Sequence, residues 1–367
     1  MKNKQARTPA DEAVSLTLSA LYESYGYKRI RMQRFEEYAL YLENKRFLQS
    51  GHITPFSTPD GRLMALRPDV TLSVMGRTSA TEDSPERVYY RESVYRTDSE
   101  GDCKEIGQVG LEMLGGVDLY GKAEVTRLAA ESLMSIQEEC HLTVSHMGLV
   151  GAVLDALQLT ERDREYALSC LAARNAHGMG ELASRLALQR DTAEGLIALA
   201  DGTADERTLC DTACRLAGRT ASAETAAKEL LAVVDMLRAQ ALPASVDFST
   251  VGDAEYYDGI VFFGYLAGVP RAILTGGEYT RLAKKFGKSV SAMGFAVYVS
   301  DLVRYLPAVE APTADVALLY GSTDDPAALL AKADALRGEG LSVLVVKALP
   351  RGAKVGKIIK TEGGSVC

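Results

Sequence analysis

RVYYRESVYRTDSEGDCKEIGQVGLEMLG, residues 87–115, is the stretch on which the fold turns. Its second half, IGQVGLEMLG (106–115), alternates apolar and polar residues with the period of a strand rather than a helix. Val109, Leu111 and Met113 take one face, and Gln108, Gly110 and Glu112 take the other. A strand with one apolar face turns its polar face to water or to a ligand. Gln108 and Glu112 stand four residues apart on that face, roughly 13 Å at strand rise. Gly110 between them is expected to leave the floor low enough for a guest to lie across the sheet. The plain alternative is a solvent-facing strand. The first half, residues 87–96, reads as its partner, joined through the polar loop TDSEGDCKE (97–105).

Working upstream, Thr8-Pro9-Ala10-Asp11 opens a helix with a capping residue, a first-turn proline and an acid. Val14, Leu18, Leu21, Tyr22 and Tyr25 recur at helical spacing, and Gly26 ends the run. KRIRMQRFE (28–36) reads as one short strand leading into a loop. HITPFS and LMAL read as strands around the turn Thr58-Pro59-Asp60-Gly61. Arg67-Pro68-Asp69 is expected to start a helix with Pro68 preset at its beginning.

Downstream, a helix from about Lys122 to Glu138 buries Val125, Leu128, Ala129, Leu133 and Ile136. The strand LTVSHM follows, and then alanine- and leucine-rich helices run from Gly148 to about Ala241. Strands return in YYDGIVFFGYL (256–266) and RAILTGG (271–277), and MGFAVYVSDLVRYL (293–306) reads as a strand entering a helix. Beyond Pro307 to Pro312, ADVALLYG, DPAALLAKADALRGEG and LSVLVVK give strand, helix, strand. The closing residues, with Lys354, Lys357 and Lys360, read as a solvated tail. The expected domains are a core over residues 1–306, with a helical insertion at about 148–245, and a small α/β unit over 312–367.

At 367 residues the chain is long enough for two or three domains. Hydrophobic residues make up 47% and charged residues 25%, as in ordinary globular proteins. The net charge of -8 argues against nucleic acid as the main partner, because phosphate contacts need clustered Lys and Arg. No signal peptide and no run of eighteen apolar residues is present, so a cytoplasmic protein without membrane association is expected. The six cysteines form no CxxC pair; even Cys210 and Cys214 have no histidine near them in sequence, so idle thiols are expected and no metal. His52, His141, His146 and His177 are dispersed, with His146 read as structural. GxxxxGK[ST], GxGxxG after a strand, HExxH and GxSxG are all absent. Nothing announces a nucleophile, a cofactor or a dinucleotide site.

Five segments, in order, resemble histidyl-tRNA synthetase over about residues 8–306: LRPDVT (66–71), VYR (94–96), IGQVGLEMLG (106–115), YYDGIVF (256–262) and TGGEYTRL…MGFAVYVSDL (275–302). The resemblance implies an α+β fold of the class II aminoacyl-tRNA synthetase type, an antiparallel sheet flanked by helices, and usually a self-dimer. Carried over position by position, it implies a histidine pocket of Asp69, Thr71, Arg96, Gln108, Glu112, Tyr256 and Tyr257, with Tyr279 nearby. In that pocket Asp69 and Glu112 are anions for an ammonium group and an imidazole N–H, and Arg96 is a cation for a carboxylate or phosphate.

The departures from the family pattern are on the catalytic side. The arginine that ends the family's third motif stands at Asp301 here, and the arginine preceding the paired tyrosines at Gly252. The loop 97–105 keeps only Lys104 of its basic residues, and the first-motif proline, which the family places at its dimer interface, is Gln33. Losing one transition-state cation costs about a hundredfold in rate, so losing three is hard to reconcile with adenylate chemistry. A binding half kept and a chemical half lost is similar to the synthetase paralogues that regulate ATP phosphoribosyltransferase. The resemblance implies a subunit that is not an enzyme, needs no cofactor, joins the short-form catalytic subunit in a hetero-oligomer and conveys feedback by L-histidine. Two other readings stand beside it: a divergent amino-acid-adenylating enzyme, and a module that senses uncharged tRNA.

Overall fold

The computed structural model describes residues 10–45, 48, 53–97, 101–253, 256–302, 305 and 313–361. The chain divides into two compact units, Val14–Tyr305, and Leu306–Cys367 with Met1–Ala13.

Helix α1 (Ala10–Ser24) leads to β1 (Lys28–Arg29), β2 (Phe35–Glu37), α2 (Tyr38–Glu43), β3 (Pro55–Ser57), β4 (Leu63–Leu66) and α3 (Val70–Arg77). The two long strands β5 (Glu86–Thr97) and β6 (Cys103–Leu114) precede α4 (Leu119–Ile136) and β7 (Cys140–His146). Six helices follow: α5 (Met147–Ala156), α6 (Glu161–Ala172), α7 (Ala176–Arg185), α8 (Arg190–Asp201), α9 (Glu206–Leu216) and α10 (Ala221–Arg238). The chain then returns through β8 (Ala244–Val246), β9 (Ile260–Leu266), β10 (Leu274–Glu278), α11 (Thr280–Lys285), β11 (Ala292–Tyr298) and α12 (Val299–Leu302). The second unit holds β12 (Ala314–Leu319), α13 (Pro326–Gly338), β13 (Val343–Val346) and β14 (Val355–Lys360).

The main sheet has eight strands in the order β1-β5-β6-β11-β10-β9-β7-β8. Its centre is antiparallel as expected, but both edge pairs, β1 with β5 and β7 with β8, run parallel, so the sheet is mixed. Register puts Glu112 opposite Val88 and Gly294, Gly110 opposite Tyr90 and Ala296, and Gln108 opposite Glu92 and Tyr298. All of these residues therefore share one face. The other face, with Leu111, Tyr89 and Phe295 in register, packs against α1 and α4. Tyr22 of α1 meets the rings of Tyr89 and Phe295 edge-on at centroid distances of 6.0 and 5.8 Å. Its hydroxyl shares a 3.0 Å hydrogen bond with Ser132 of α4. The helices α5–α10 pack on one another, and α10 rests on α4, β7 and β8. Their starts are set by side-chain caps: Thr160, Asn175, Asp205 and Thr220 each accept a backbone N–H of the first turn.

Several sequence expectations are corrected. KRIRMQRFE is two strands rather than one: β1 joins the main sheet and β2 a separate three-stranded sheet, β2-β4-β3. Pro68 lies outside α3, because Asp69 is its N-cap and accepts the Leu72 N–H at 2.9 Å. The strands around the polar loop are longer than expected: Cys103, Lys104 and Glu105 already pair with Thr97, Arg96 and Tyr95. Of that loop, residues 98–100 lie outside the described ones, as do Thr8 and Pro9 of the first cap. YYDG is not strand, which begins only at Ile260, and the short strand β8 falls where helix was expected to have just ended. The lysine-bearing tail is strand β14, paired parallel with β12 in a three-stranded sheet. There Ile358 and Ile359 match Ala317 and Leu318 in register.

Candidate functional site

Asp69, Thr71, Arg96, Gln108, Glu112, Tyr256 and Tyr257 all line one pocket on the open face of the main sheet, and Tyr279 lines it too. Four segments far apart in sequence meet there: the first turn of α3, the β5–β6 hairpin, the turn before β9 and the start of α11.

At its deep end, Glu112 is 1% exposed. Thr71 Oγ1 donates to its Oε1 at 2.7 Å, and the Tyr279 hydroxyl donates to its Oε2. Burial pushes the Glu112 carboxyl up to about 8, with the donors from Tyr279 and Thr71 opposing and the nearby Asp69 adding to the rise. The resemblance gives Glu112 as an anion facing a ligand N–H; with its carboxyl raised by burial, meeting such a cation is linked to the loss of a proton. Asp69 is also raised by burial, opposed by the Leu72 N–H and by Arg96. The plain solvent-facing reading of the strand fails as well, since Gln108 is buried like Glu112.

The low floor expected over Gly110 is filled. A methyl group there would meet the Tyr90 hydroxyl at 2.5 Å, so the Tyr90 ring crosses above the glycine. One strand over, the space above Gly294 is taken by the Glu112 carboxyl, with which a methyl there would collide, so the low part of the floor is at Ala296. Three more phenol rings close the site, with the Tyr256 ring tilted against Tyr257 at a centroid distance of 4.8 Å and against Tyr279 at 5.9 Å. Burial raises all four phenols, Tyr90, Tyr256, Tyr257 and Tyr279, well above their ordinary range, so they stay neutral hydroxyls. The water-accessible volume is about 30 Å³, room for about two waters. A larger guest must displace a ring.

Arg96 is the single cationic side chain among the described residues lining this pocket. Its Nε donates to the Pro68 carbonyl at 3.3 Å, and its guanidinium lies 6.0 Å from the centroid of the Tyr298 ring. Tyr90, Thr275, Gly294, Ala296 and Tyr298 also line the site and were missed in the sequence. Strand parity was the available signal: counting by twos from Arg96 reaches Tyr90, and from Gly294 reaches Tyr298. An acid-rich deep end and a lone guanidinium suit a small zwitterion with a second N–H-bearing group.

Gly252, where the resemblance implies an arginine before the paired tyrosines, is tightly packed. Gly252 is buried, and a methyl group there would stand 2.5 Å from the Tyr257 ring and 2.9 Å from Val261. Gly252→Ala is expected to lower stability by about 1–3 kcal/mol through overpacking, read as a shifted urea midpoint at constant slope. Asp301 lies in α12, but its side chain is outside the described residues.

A second polar cluster joins His146, Glu229 and Glu278. Lys122 already supplies its cation, with Nζ 2.6 Å from Glu229 and 3.0 Å from Glu278. His146 caps α5 through the Leu149 N–H, a structural role as expected. The five cysteines among the described residues are free thiols. No helix among the described residues is long and apolar enough to cross a membrane.

The family model described as histidyl-tRNA synthetase matches residues 4–302. A relative described as ATP phosphoribosyltransferase regulatory subunit, from Moorella thermoacetica, is 29% identical, covering 88% of this chain and 85% of its own. A crystal structure from Bacillus halodurans C, described as an ATP phosphoribosyltransferase regulatory subunit/histidyl-tRNA synthetase, superposes with a TM-score of 0.80 at 22% identity, covering 96% of this chain and 93% of that one. A chain of the ATP phosphoribosyl transferase complex from Thermotoga maritima gives 0.62 at 18% identity, covering 78% and 96%. At such identities the solved structures establish the class II synthetase-like fold.

Proposed function

From the premise that this chain belongs to the histidyl-tRNA synthetase family, we propose that it is a regulatory subunit of ATP phosphoribosyltransferase, itself without catalysis, that senses L-histidine. The observation that carries the reading is the make-up of one pocket. A set of polar groups, Asp69, Thr71, Gln108 and Glu112, shares the pocket with one guanidinium, Arg96, the single cation among the described lining residues. The position of a second arginine is taken by Gly252, under the Tyr257 ring. A triphosphate needs several cations to hold it and to steady charge in transfer. A free amino acid needs one, for its carboxylate.

The relative from Moorella carries the regulatory-subunit description over most of its length, and the Thermotoga chain of this fold was solved within an ATP phosphoribosyl transferase complex. Both support a short-form catalytic subunit as hetero-oligomeric partner. Its product pathway ends in histidine by this reading, so binding of histidine here shifts the complex toward a less active state, a coupling of about 1–3 kcal/mol in typical systems.

Two measurements test the reading. Calorimetric titration with L-histidine is expected to give a saturable heat in the micromolar-to-millimolar range, and a flat trace would reject the sensor. Adding this chain to the short-form catalytic subunit is expected to raise turnover, and an unchanged rate would reject the partnership. Histidine-dependent exchange of pyrophosphate into ATP would instead support the adenylating-enzyme reading, and salt-dependent tRNA binding the tRNA-sensing one.

A further inference from the structure

The pocket has a closed end and an open end. Glu112, Gln108, Tyr256, Tyr257 and Tyr279 are buried, whereas Arg96, Thr275, Ala296 and Tyr298 keep partial exposure. The mouth therefore lies between the guanidinium and the neighbouring ends of β10 and β11. Along β11 the residues on the pocket face run Gly294, Ala296, Tyr298, two small and then one large. Thr275 pairs with Ala296, yet its hydroxyl makes a 2.8 Å hydrogen bond with the hydroxyl of Tyr298. The phenol thus reaches back diagonally over the low part of the floor, with its ring also beside Arg96.

We infer that Tyr298 is the specificity wall of this pocket, admitting a free amino acid whose carboxylate meets Arg96 and excluding any ligand that extends past that carboxylate. The inference rests on the amino-acid reading of the same site. Once a ring at the closed end gives way, a guest sets its N–H groups toward Glu112 and its carboxylate on Arg96. Any group attached to that carboxylate, a nucleoside phosphate above all, must then leave through the mouth, where the ring and its bond to Thr275 stand. Arg96 is held from two sides, by the Pro68 carbonyl and by the ring face, so the cation and the wall form one unit.

The test is calorimetric titration of the full chain with two probes, L-histidine and the non-hydrolysable adenylate analogue in which histidine is joined to adenosine through a sulfamoyl group. The unaltered protein is expected to prefer histidine at least 100-fold. Tyr298→Ala is expected to cut that preference below tenfold by admitting the analogue. Tyr298→Phe keeps the ring without the Thr275 bond, and is expected to retain a preference above tenfold, which guards against a misfolded alanine variant. Equal binding of both probes by the unaltered protein, or an unchanged preference in folded Tyr298→Ala, overturns the wall while leaving histidine sensing intact. Failure of the unaltered protein to bind histidine overturns the functional reading, and the wall with it.

Discussion

Arg67→Met is expected to destabilise the Val14–Tyr305 unit by about 3–5 kcal/mol, the range for breaking a buried ion pair by removing one partner. The Arg67 side chain is fully buried, and Glu92, its 2.8 Å partner, is 13% exposed. The guanidinium also donates to the Gln33 carbonyl at 2.8 Å and to the Ser93 carbonyl at 2.8 and 3.3 Å. Glu92 in turn accepts the Met32 N–H at 3.0 Å. One side chain therefore ties the segment after β1 to β5, two residues before Asp69 enters the pocket. Methionine fills similar volume but leaves a carboxylate and two carbonyls without that donor. Urea unfolding measures the loss as a lower midpoint at constant slope. Glu92→Gln in the same chain removes the stranded charge and is expected to recover part of the stability. A double variant no more stable than Arg67→Met would show that the ion pair is not the source.

The second large effect is on ligand binding. Glu112→Gln matches the shape of the protonated acid and keeps an acceptor for Thr71 or Tyr279, so the fold is expected to survive. Histidine affinity is expected to fall at least about 30-fold, roughly 2 kcal/mol, as for truncating one member of a buried charge pair. The pH dependence identifies the cause. With its carboxyl at about 8 in the folded empty protein, Glu112 must lose a proton to face a cation. The affinity ratio of unaltered protein to variant should therefore rise from pH 6 to pH 8 and level off above. Titration of free histidine is common to both proteins and cancels in the ratio. Stability has the opposite sign: between the unfolded carboxyl value and about 8 the folded state holds the extra proton, so unliganded stability falls as pH rises through that window. Glu112→Gln is expected to lack that slope. A ratio flat with pH would remove Glu112 from ligand recognition.

Much of this architecture was legible because strand parity and helical period act locally. The face shared by Gln108 and Glu112, and the pairing of 87–96 with 106–115, follow from alternation alone. The grouping of seven pocket residues came from family resemblance, since no local rule joins Asp69 to Tyr257 across 188 positions of sequence. What was not legible depended on other chains of contact. Gly110 looked like open floor because its occupant, Tyr90, is defined by register with another strand. The raised carboxyl of Glu112 follows from its burial, which sequence does not report. The tail strand β14 was hidden by its lysines, whose charges suit an exposed edge strand as well as they suit a tail. Pro68 was placed inside a helix it precedes because Asp69 is the better cap.

The packing of Gly252 beneath the Tyr257 ring also bears on how far a change at one position spreads. A side chain at 252 has no place until Tyr257 moves, and Tyr257 packs tilted against Tyr256, which packs tilted against Tyr279. A larger side chain at 252 therefore carries a folding cost that all three rings share. Adjoining positions of this kind change acceptably only together. The three rings thus pass a change at 252, outside the lining of the pocket, on to side chains that form its closed end.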